Sequence, residues 1–389
     1  MKHILAIFIT LLLGFSAMQS VSAKELPAPT ERQTSNMKLA MISDYSGIAD
    51  QSFNQTIYEA CRIYAQSHGT PFTCFQPVTY TSEERANIIM DAVKQGCNVI
   101  VTPGDAFVDA LKTTAPSYPD VTFIALDVSY EQLGDYAIPS NFYCVSYKEE
   151  LSGYMAGYAT VRLGYKKIGY LGGMDVPSVK RYGYGFVQGV NDAAKDTHQT
   201  DISLNYAYAG QFDPDGDITD VMDAWYGNGT EIVFACGGAL YESVAEAAEE
   251  AKGKIIGVDV DQSGIIDRQY GKGITVTSAM KDLSRATQNA LENASNGTLQ
   301  GGKVVTLGLV GETPDNNYVK LPIGTTQWND RFTQKDYQSL VASMFKGTVN
   351  VSNDITKSPS DFATNIAFKD KGKIVTGQSP IVSANMGLF

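Results

Sequence analysis

The chain has 389 residues, of which 43% are hydrophobic, 10% aromatic and 19% charged, a composition that can build a large core and excludes a disordered or fibrous protein. With 30 Lys and Arg against 42 Asp and Glu the formal net charge is -12, and no basic stripe is present, which argues against nucleic-acid binding. Three histidines and no Cys-x-x-Cys pair argue against a transition-metal site. At roughly 150 residues per domain, the length predicts two domains.

Residues 1–23 have the features of a secretory signal peptide. A short basic start precedes an apolar run at residues 4–15, and Val21-Ser22-Ala23 supplies small residues before a cleavage site. The run is shorter than the roughly 20 residues that a membrane helix needs, which disfavours the alternative of an uncleaved anchor. No cysteine follows before Cys61, so no lipid-attachment site is available. We expect an exported, soluble protein, periplasmic or extracellular, that begins with a polar linker at residues 24–36.

Five cysteines leave at least one thiol unpaired. Cys61 and Cys74 fall on a predicted helix and the following strand, so a disulfide between them is conceivable. The alternative is that the cysteines are small buried residues in helices and strands.

From Met37 onward, short apolar runs alternate with segments of helical periodicity. The first series of strands and helices runs through residues 38–43, 52–67, 72–77, 82–95, 99–102, 105–114 and 121–126. The second series runs through residues 142–146, 149–163, 167–171, 182–196, 202–208, 218–228, 232–235, 241–251 and 254–258. Strands that alternate with helices are typical of βαβ units around a parallel sheet, so two such series predict two lobes that face a cleft.

The region after residue 258 is predicted to add three strands and two helices. The strands are expected at residues 275–278, 304–309 and 318–320, and the helices at 283–295 and 335–345. The tail beyond the last helix has weaker patterning, and no role is predicted for it.

Polar and aromatic residues collect at the carboxyl ends of the predicted strands, where ligands bind in open parallel sheets. These ends carry Asp44, Asp127, Asp259 and Lys281, with Phe53 and Asn54 just after the first of them. Carboxylates accept hydrogen bonds from hydroxyl groups, a lysine donates to them, and an aromatic ring stacks on a flat surface. The pattern therefore favours a neutral, polyhydroxylated ligand with a flat face.

Each of these residues also has a purely structural interpretation. Asp50 and Ser52 could cap the helix that starts near Phe53, and Asp44 and Asp127 could be turn residues. Phe53 and Tyr182 could belong to the core, and Lys281 could be an ordinary surface lysine. Asp105 and Asp261 are expected to be turn or cap groups rather than ligand contacts. Two glycine pairs also follow predicted strands, Gly172-Gly173 and Gly237-Gly238, but they lack the residue order of a nucleotide phosphate-binding loop.

Several motifs resemble, in order, those of the basic membrane protein family of solute-binding proteins, which includes purine nucleoside receptors of ABC transporters. The matching segments are Ser43-Asp44 with Gly47-Ile48-Ala49-Asp50-Gln51-Ser52-Phe53-Asn54, Tyr118-Pro119-Asp120-Val121, Glu149-Glu150-Leu151-Ser152-Gly153, Gly169-Tyr170-Leu171-Gly172-Gly173, Val179-Lys180-Arg181-Tyr182 and Ile256-Gly257-Val258-Asp259. The resemblance spans residues 38–320, most of the chain.

The resemblance implies an α/β, two-lobed type I periplasmic-binding-protein fold, in which each lobe is a parallel sheet flanked by helices and the ligand cleft lies between the lobes. We place residues 37–142 plus 262–303 in the N-terminal lobe and residues 143–261 plus 304–332 in the C-terminal lobe, with crossings near Tyr143, Gln262 and Val304. Residues 333–389 are expected to form a C-terminal helix and tail.

The resemblance also implies the roles of individual residues. Phe53 and Tyr182 would sandwich a base, and Asp44 and Asn54 would hydrogen-bond its edge. The remaining contacts would hold the ribose: Asp127, Gly238, Asp259 and Lys281. No catalytic residue, metal or cofactor is implied. The chain departs from the family pattern at Ala49, at Tyr182 in place of the usual Phe, at residues 102–105 and in lacking the lipid-attachment cysteine.

The implied function is capture of a small ligand, a purine nucleoside above all, and its delivery to an ABC transporter permease; the protein is not expected to be an enzyme. One alternative is the same fold binding a sugar or signalling polyol for uptake or sensing. Another is a secreted nucleoside hydrolase in which Asp44 and Asp50 belong to a calcium-binding carboxylate cluster, although the acidic residues here are spread over many strand ends.

Overall fold

The fold is α/β and contains two β-sheets flanked by helices. The computed structural model describes residues 36–44 and 47–374 of the chain. The predicted signal peptide and all but the last residue of the predicted linker lie outside these residues. The chain from Met37 onward forms one compact unit. Within the described residues no helix is long and apolar enough to span a membrane.

The first sheet, as far as the structure describes it, has six strands, all parallel, in the order β11-β5-β4-β3-β1-β2. Its strands are β1 (Leu39–Ile42), β2 (Phe72–Phe75), β3 (Val99–Pro103), β4 (Thr122–Leu126), β5 (Phe142–Tyr147) and β11 (Lys303–Leu307). The helices of this lobe are α1 (Phe53–His68), α2 (Ser82–Lys94), α3 (Val108–Thr114), α4 (Tyr130–Leu133) and α10 (Leu283–Ser295). Every residue of β1 and β3 is buried, as expected for parallel strands covered on both faces.

The second sheet has seven strands in the described part of the chain, in the order β12-β10-β9-β8-β6-β7-β13, and β12 alone among them is antiparallel. Its strands are β6 (Lys167–Gly172), β7 (Ser203–Tyr208), β8 (Ile232–Cys236), β9 (Lys254–Asp259), β10 (Thr275–Lys281), β12 (Val319–Lys320) and β13 (Ala367–Lys373). Its helices are α5 (Glu149–Leu163), α6 (Pro177–Asp196), α7 (Gly216–Gly227), α8 (Tyr241–Ala251), α9 (Ser263–Tyr270) and α11 (Gln334–Phe345).

The chain crosses between the two lobes at three places. Lys148 joins β5 to α5, Asp282 joins β10 to α10, and residues 308–318 join β11 to β12. The crossing strands are held together, because the Lys148 N–H donates to the Leu307 carbonyl at 2.8 Å and the Asp282 N–H to the Tyr318 carbonyl at 2.7 Å. These three connections form a common hinge.

Strand pairing corrects the predicted crossings near Tyr143, Gln262 and Val304. The segment 262–303 was expected in the first lobe, but its strand β10 pairs with β9 in the second sheet. The segment 304–332 was expected in the second lobe, but β11 pairs with β5 in the first. Pairing partners decide which sheet a strand joins, and local periodicity carries no information about them.

Helices α5 and α6 pack with their backbones in direct contact, and glycines make this possible. A Cβ at Gly153 would overlap the carbonyl oxygen of Tyr182, and one at Gly185 would overlap the carbonyl oxygen of Glu150. Glycine permits such close approach of two backbones. The contact holds Tyr182 at a fixed distance from the hinge, where α5 begins.

A C-terminal strap, residues 346–374, wraps the second lobe. Its strand β13 pairs in parallel with β7, and Tyr184 and Gln188 of α6 hydrogen-bond to it through Lys357 and Ser352. The strap thereby covers an edge of the sheet that would otherwise expose unpaired backbone groups. This is the structural role of a tail for which the sequence predicted none.

The cysteines and one helix boundary also differ from simple expectation. All five cysteines lie in the described residues and carry free thiols, so the conceivable Cys61–Cys74 bridge is not formed. Helix α6 begins at Pro177, five residues before the predicted start at Tyr182. Proline at the first position of a helix is favoured because its missing N–H would be unpaired there anyway.

Candidate ligand-binding site

The predicted site residues meet in one cavity between the lobes, beyond the carboxyl ends of the strands. All eight candidates line it: Asp44, Phe53, Asn54, Asp127, Tyr182, Gly238, Asp259 and Lys281. The other lining residues are Asp50, Gly104, Asp105, Val176, Ser178, Val179, Phe212, Cys236, Gly237 and Val258. The cavity has an empty volume of about 610 Å³, part of it open to solvent.

At the first-lobe end of the cavity, Asp44 follows β1 and is held by a buried arginine. The Arg85 guanidinium donates from Nη2 to Asp44 Oδ1 at 3.1 Å and from Nη1 to the Tyr80 carbonyl at 2.7 Å. Both charged side chains are more than 90% buried. The Asp44 backbone N–H also donates to Asn54 Oδ1 at 3.1 Å. This network fixes the carboxylate of Asp44 relative to the start of α1.

Asp50 caps α1, as its structural interpretation predicted. Its carboxylate accepts the backbone N–H groups of Ser52, Asn54 and Gln55 at 2.8–3.1 Å. Burial raises the pKa of Asp50, against the effect of these hydrogen bonds. Asp50 also lines the cavity, so the capping group and the cavity wall are the same side chain.

Lys281, at the end of β10, lies at the centre of the acidic residues. Its ammonium group forms ion pairs with Asp127, with Asp259 Oδ1 at 3.4 Å and with Glu149 Oε1 at 4.0 Å. It also lies 4.8 Å from the centre of the Phe53 ring. Lys281 is 4% exposed, so it is a buried cation of the site and not the surface lysine of the alternative interpretation.

These charges shift one another's protonation. Burial acts to lower the pKa of Lys281, but the carboxylates of Asp127, Asp259 and Glu149 outweigh it and raise that pKa above its ordinary value. Burial raises the pKa of Asp127 to about 7, because Lys281 only partly offsets the loss of water and the repulsion from Glu149 and Asp259.

Asp127 and Asp259 occupy equivalent positions in the two lobes. Asp127 directly follows β4 and Asp259 ends β9, and both have left-handed backbone angles, with φ of 59° and 65°. Aspartate tolerates this conformation better than most residues, and such angles cluster at ligand-binding sites. The two strands therefore bring their carboxylates to one lysine from opposite sides of the cleft.

A second charged group lies behind the lysine. Glu149 Oε2 accepts a 2.6 Å hydrogen bond from Arg181 Nε, and Arg181 Nη1 lies 3.7 Å from Glu131 Oε1 in the first lobe. The neighbouring Glu150 is buried, and its Oε2 has no hydrogen-bond partner among the described residues. Burial raises the pKa of Glu150 to about 7.

Three aromatic rings border the cavity. Phe53 comes from the first lobe, and Tyr182 and Phe212 come from the second. Tyr182 is 1% exposed and packs edge-on against Phe234, with its hydroxyl lacking a hydrogen-bond partner within the described part of the chain. Phe212 is only partly buried. Tyr182 and Phe212 therefore both line the second-lobe side of the cavity, and Phe212 is the more exposed of the two.

Phe212 was missed because it lies in a loop after β7 and not at a predicted strand end. Its ring lies over Gly173 and Gly237, where an added Cβ would come within 2.4 Å and 2.7 Å of ring carbon Cδ1. The glycines after β6 and β8 therefore make room for an aromatic ring. In the sequence, the feature that could have indicated Phe212 is an aromatic residue directly before Asp213-Pro214. Arg85 was also missed, since a buried arginine cannot be distinguished by sequence from a surface residue of α2.

The two lobes also contact each other directly beside the cavity. Ser52 Oγ, at the start of α1, donates a hydrogen bond to Asp259 Oδ2, and Gln262 Nε2 lies 3.5 Å from the Gln51 carbonyl. Asp105 lines the cavity despite its predicted turn role, and burial raises its pKa. Asp261 is a turn residue as expected, with Oδ1 accepting from the Ser263 N–H. Residues 36–44 and 47–374 contain no cluster of three or more potential metal ligands.

Comparisons with known proteins agree with this architecture. A family model described as "ABC transporter substrate-binding protein PnrA-like" (Bmp) matches residues 37–342. The ABC transporter nucleoside-binding protein BmpA of Lactococcus lactis subsp. cremoris (strain MG1363) is 24% identical over 325 residues, covering 79% of this chain and 89% of that protein. Basic membrane protein B of Borreliella burgdorferi (strain ATCC 35210 / DSM 4680 / CIP 102532 / B31) is 26% identical over 291 residues, covering 72% of this chain and 80% of that protein.

A solved structure shows the same fold. The ABC transporter system solute-binding protein from Aeropyrum pernix K1 superposes with a TM-score of 0.63 at 19% identity, covering 84% of this chain and 90% of that one. The predicted two-lobed fold, with flanked parallel sheets, is confirmed.

Proposed function

Because the chain belongs to the PnrA-like family of ABC transporter substrate-binding proteins, as its motifs predicted, we propose that its cavity captures a purine nucleoside for delivery to an ABC permease. Substrate-binding proteins of this kind bind small molecules outside the cytoplasm and are not enzymes. The single observation that carries the nucleoside proposal is the cavity itself, in which aromatic rings and a lysine surrounded by carboxylates face one space.

The aromatic rings support a flat ligand. Phe53 and Phe212 border the cavity from opposite lobes, and Tyr182 lies deeper on the second-lobe side. Base stacking on an aromatic side chain contributes about 1–3 kcal/mol per base in single-strand binding proteins. A base between Phe53 and Phe212 would draw the lobes together, with Tyr182 as the wall behind it.

The charged cluster supports a ligand with hydroxyl groups and excludes phosphate. Asp127 and Asp259 can accept hydrogen bonds from adjacent ribose hydroxyls, and Lys281 between them can donate one. A site that hydrogen-bonds a hydroxyl strongly rejects ligands that lack it, because its buried groups are left unpaired. A phosphate would face the same carboxylates and be repelled, so we expect nucleosides and not nucleotides to bind.

Transport follows from closure. Ser52 and Asp259 join the two lobes, and a ligand that contacts both lobes stabilises this closed form. The permease would bind the surface that the closed lobes form together. We further propose that residues 1–23 direct export of the chain.

The test is calorimetric titration of the chain from Lys24 to Phe389, after unfolding and refolding to remove any ligand carried through purification. The ligands are inosine, guanosine, adenosine, cytidine, guanosine 5′-monophosphate and ribose. We expect micromolar or tighter binding of purine nucleosides, at least 100-fold weaker binding of the monophosphate, and no binding of ribose.

Other outcomes would replace the proposal. Silence toward every nucleoside, with binding of a sugar or polyol, would assign the cavity to that alternative ligand class. Release of ribose from inosine in calcium would support the nucleoside hydrolase. That alternative would need Asp44 and Asp50 to share a metal ion, whereas Asp44 pairs with Arg85 and Asp50 caps α1.

A further inference from the structure

Arg85 lies behind the cavity, outside its lining, and its guanidinium bonds to the lining residue Asp44. The side chain is 3% exposed, and its two terminal nitrogens donate to Asp44 Oδ1 and to the Tyr80 carbonyl. Its guanidinium carbon lies 5.5 Å from the centre of the Phe107 ring. Arg85 is therefore held at three points and has no freedom to reach a ligand itself.

Asp44 presents its other oxygen to the place where a stacked ring would end. A Cβ added at Gly104 would lie 3.7 Å from both Asp44 Oδ2 and Phe53 Cε1, so these two atoms border the same space. A flat ligand stacked on Phe53 would bring its edge to Asp44 Oδ2. Asn54 beside them already uses Oδ1 for the Asp44 N–H and Nδ2 for Asp50.

We infer, on the basis of the proposed function, that Arg85 is a positioning residue that sets the base specificity of the site. By holding Asp44 as an oriented carboxylate, it makes this end of the cavity an acceptor of hydrogen bonds. An ionised carboxylate accepts hydrogen bonds and does not donate them. The site then selects a ring edge that offers N–H groups over one that offers an unprotonated ring nitrogen.

This chemistry distinguishes purines from one another. Guanine presents a ring N–H beside an exocyclic amino group, so it offers Asp44 two adjacent hydrogen-bond donors. Hypoxanthine presents the ring N–H alone. Adenine presents an amino group beside a bare ring nitrogen, which would face Asp44 as one acceptor against another. The order of affinity expected from Arg85 and Asp44 is therefore guanosine, then inosine, then adenosine.

The test measures discrimination, the ratio of the adenosine Kd to the guanosine Kd, in wild type and variants by titration calorimetry. Arg85→Gln removes the charge that holds Asp44, and we expect it to lower this ratio at least tenfold while adenosine affinity changes less than threefold. Arg85→Lys, which keeps the charge, should retain most of the discrimination. Arg62→Gln, an exposed arginine of α1, is the matched control and should leave the ratio unchanged.

A double-mutant cycle separates positioning from general damage to the fold. Asp44→Asn alone should lower the ratio as Arg85→Gln does, and Arg85→Gln added to Asp44→Asn should change it less than twofold, because Arg85 acts through Asp44. If Arg85→Gln does not fold, the comparison of Arg85→Lys with Asp44→Asn decides: retention in the first and loss in the second are expected.

Two results would overturn the inference, and they differ from failure of the proposed function. Equal weakening of guanosine and adenosine by Arg85→Gln would mean that Arg85 only stabilises the lobe. Additive effects of the two substitutions would mean that Arg85 does not act through Asp44. If the wild-type protein binds no nucleoside at all, the proposed function fails, and the assignment of a base to the Asp44 edge fails with it.

Discussion

Ser52 Oγ donates a 2.9 Å hydrogen bond to Asp259 Oδ2, and this bond joins the first residue before α1 in one lobe to the end of β9 in the other. Both side chains are buried. Because the two residues belong to different lobes, the bond exists only while the lobes are closed. Ser52 therefore contributes to closure without needing to touch a ligand.

Ser52→Ala is expected to weaken ligand binding about five- to tenfold. A hydrogen bond to a charged group contributes about 1.5–3 kcal/mol, and water that replaces the Ser52 hydroxyl would recover part of that free energy. Calorimetry would measure the affinity and small-angle scattering the closure. Ser67→Ala is the control, since Ser67 is on the same helix and bonds the Tyr64 carbonyl and His68, both within its own lobe. Unchanged affinity and closure would remove Ser52 from the closing mechanism.

Asp127→Ala and Phe53→Ala are each expected to weaken nucleoside binding tenfold or more, about 1.4 kcal/mol or above. The Asp127 substitution removes a hydrogen-bond acceptor beside Lys281, and the Phe53 substitution removes the stacking surface of the first lobe. The exposed acid Asp120, changed to Ala, is the control for a loss of charge in the same lobe. Wild-type affinity in either variant would exclude that residue from the site.

Tyr182→Phe is expected to leave ligand affinity within twofold and to raise the melting temperature, because it removes a buried hydroxyl that has no partner in the described structure. Leaving such a group unpaired costs about 1–3 kcal/mol. Tyr170→Phe is the contrasting variant, since the Tyr170 hydroxyl donates to the Val179 carbonyl at 2.7 Å, and it should lower stability. A tenfold loss of affinity in Tyr182→Phe would instead show that the hydroxyl contacts the ligand.

Glu150→Gln is expected to stabilise the protein at pH 8 and to have little effect at pH 5. Burial, and the adjacent charge of Glu149, raise the pKa of Glu150 to about 7 in the folded state, above its ordinary value of 4.5. The folded state therefore binds the proton more tightly, and stability falls as pH rises from about 4.5 through 7. Thermal unfolding from pH 5 to pH 8 would measure this slope, which Glu150→Gln should reduce.

The neighbouring Glu149 provides the control for that pH dependence. Glu149→Gln should destabilise the protein at pH 8, because Arg181 would keep its buried charge and lose its 2.6 Å partner. Opposite effects from two adjacent glutamates would be hard to attribute to helix propensity. An equal stability loss in both variants would contradict the assignment of Glu150 as the unpartnered member.

A chain that ends at Phe345 is expected to unfold at a lower temperature and to associate with itself. Without the strap, β7 becomes the edge of the second sheet and the Tyr206 ring loses its contact with Phe368. Melting temperature and sedimentation, compared with the full chain, would measure both effects. A truncated monomer of unchanged stability would show that the strap is dispensable for the lobe.

The sequence predicted most of the elements and the convergence of seven polar and aromatic residues and one glycine, since strand ends of a parallel sheet necessarily meet at one edge. It could not predict that β10 stays in the second sheet, because that depends on pairing with β9 across the chain. Strap and hinge likewise depend on contacts between distant segments.

Side-chain roles within the site were harder to predict than its location. Tyr182 lines the cavity and also packs against Phe234, and its role as a base-stacking residue stays a prediction; Phe212, which is only partly buried, lines the same lobe's wall and was not predicted. Nothing in the sequence indicated a role for Arg85, because its ion pair with Asp44 joins residues that are far apart along the chain. The identity of a residue indicates which interactions its side chain can make, and the packing of the folded chain determines which neighbour it makes them with.

Strand β13 also has a consequence for how the molecule is made. Residues 367–373 pair with residues 203–208, so the outer edge of the second sheet stays open until nearly the whole chain has left the ribosome. Contacts between such distant segments form late and slowly. For the export that we propose, this delay would be an advantage, because a chain that is slow to complete its sheet remains unfolded long enough to be threaded through a membrane.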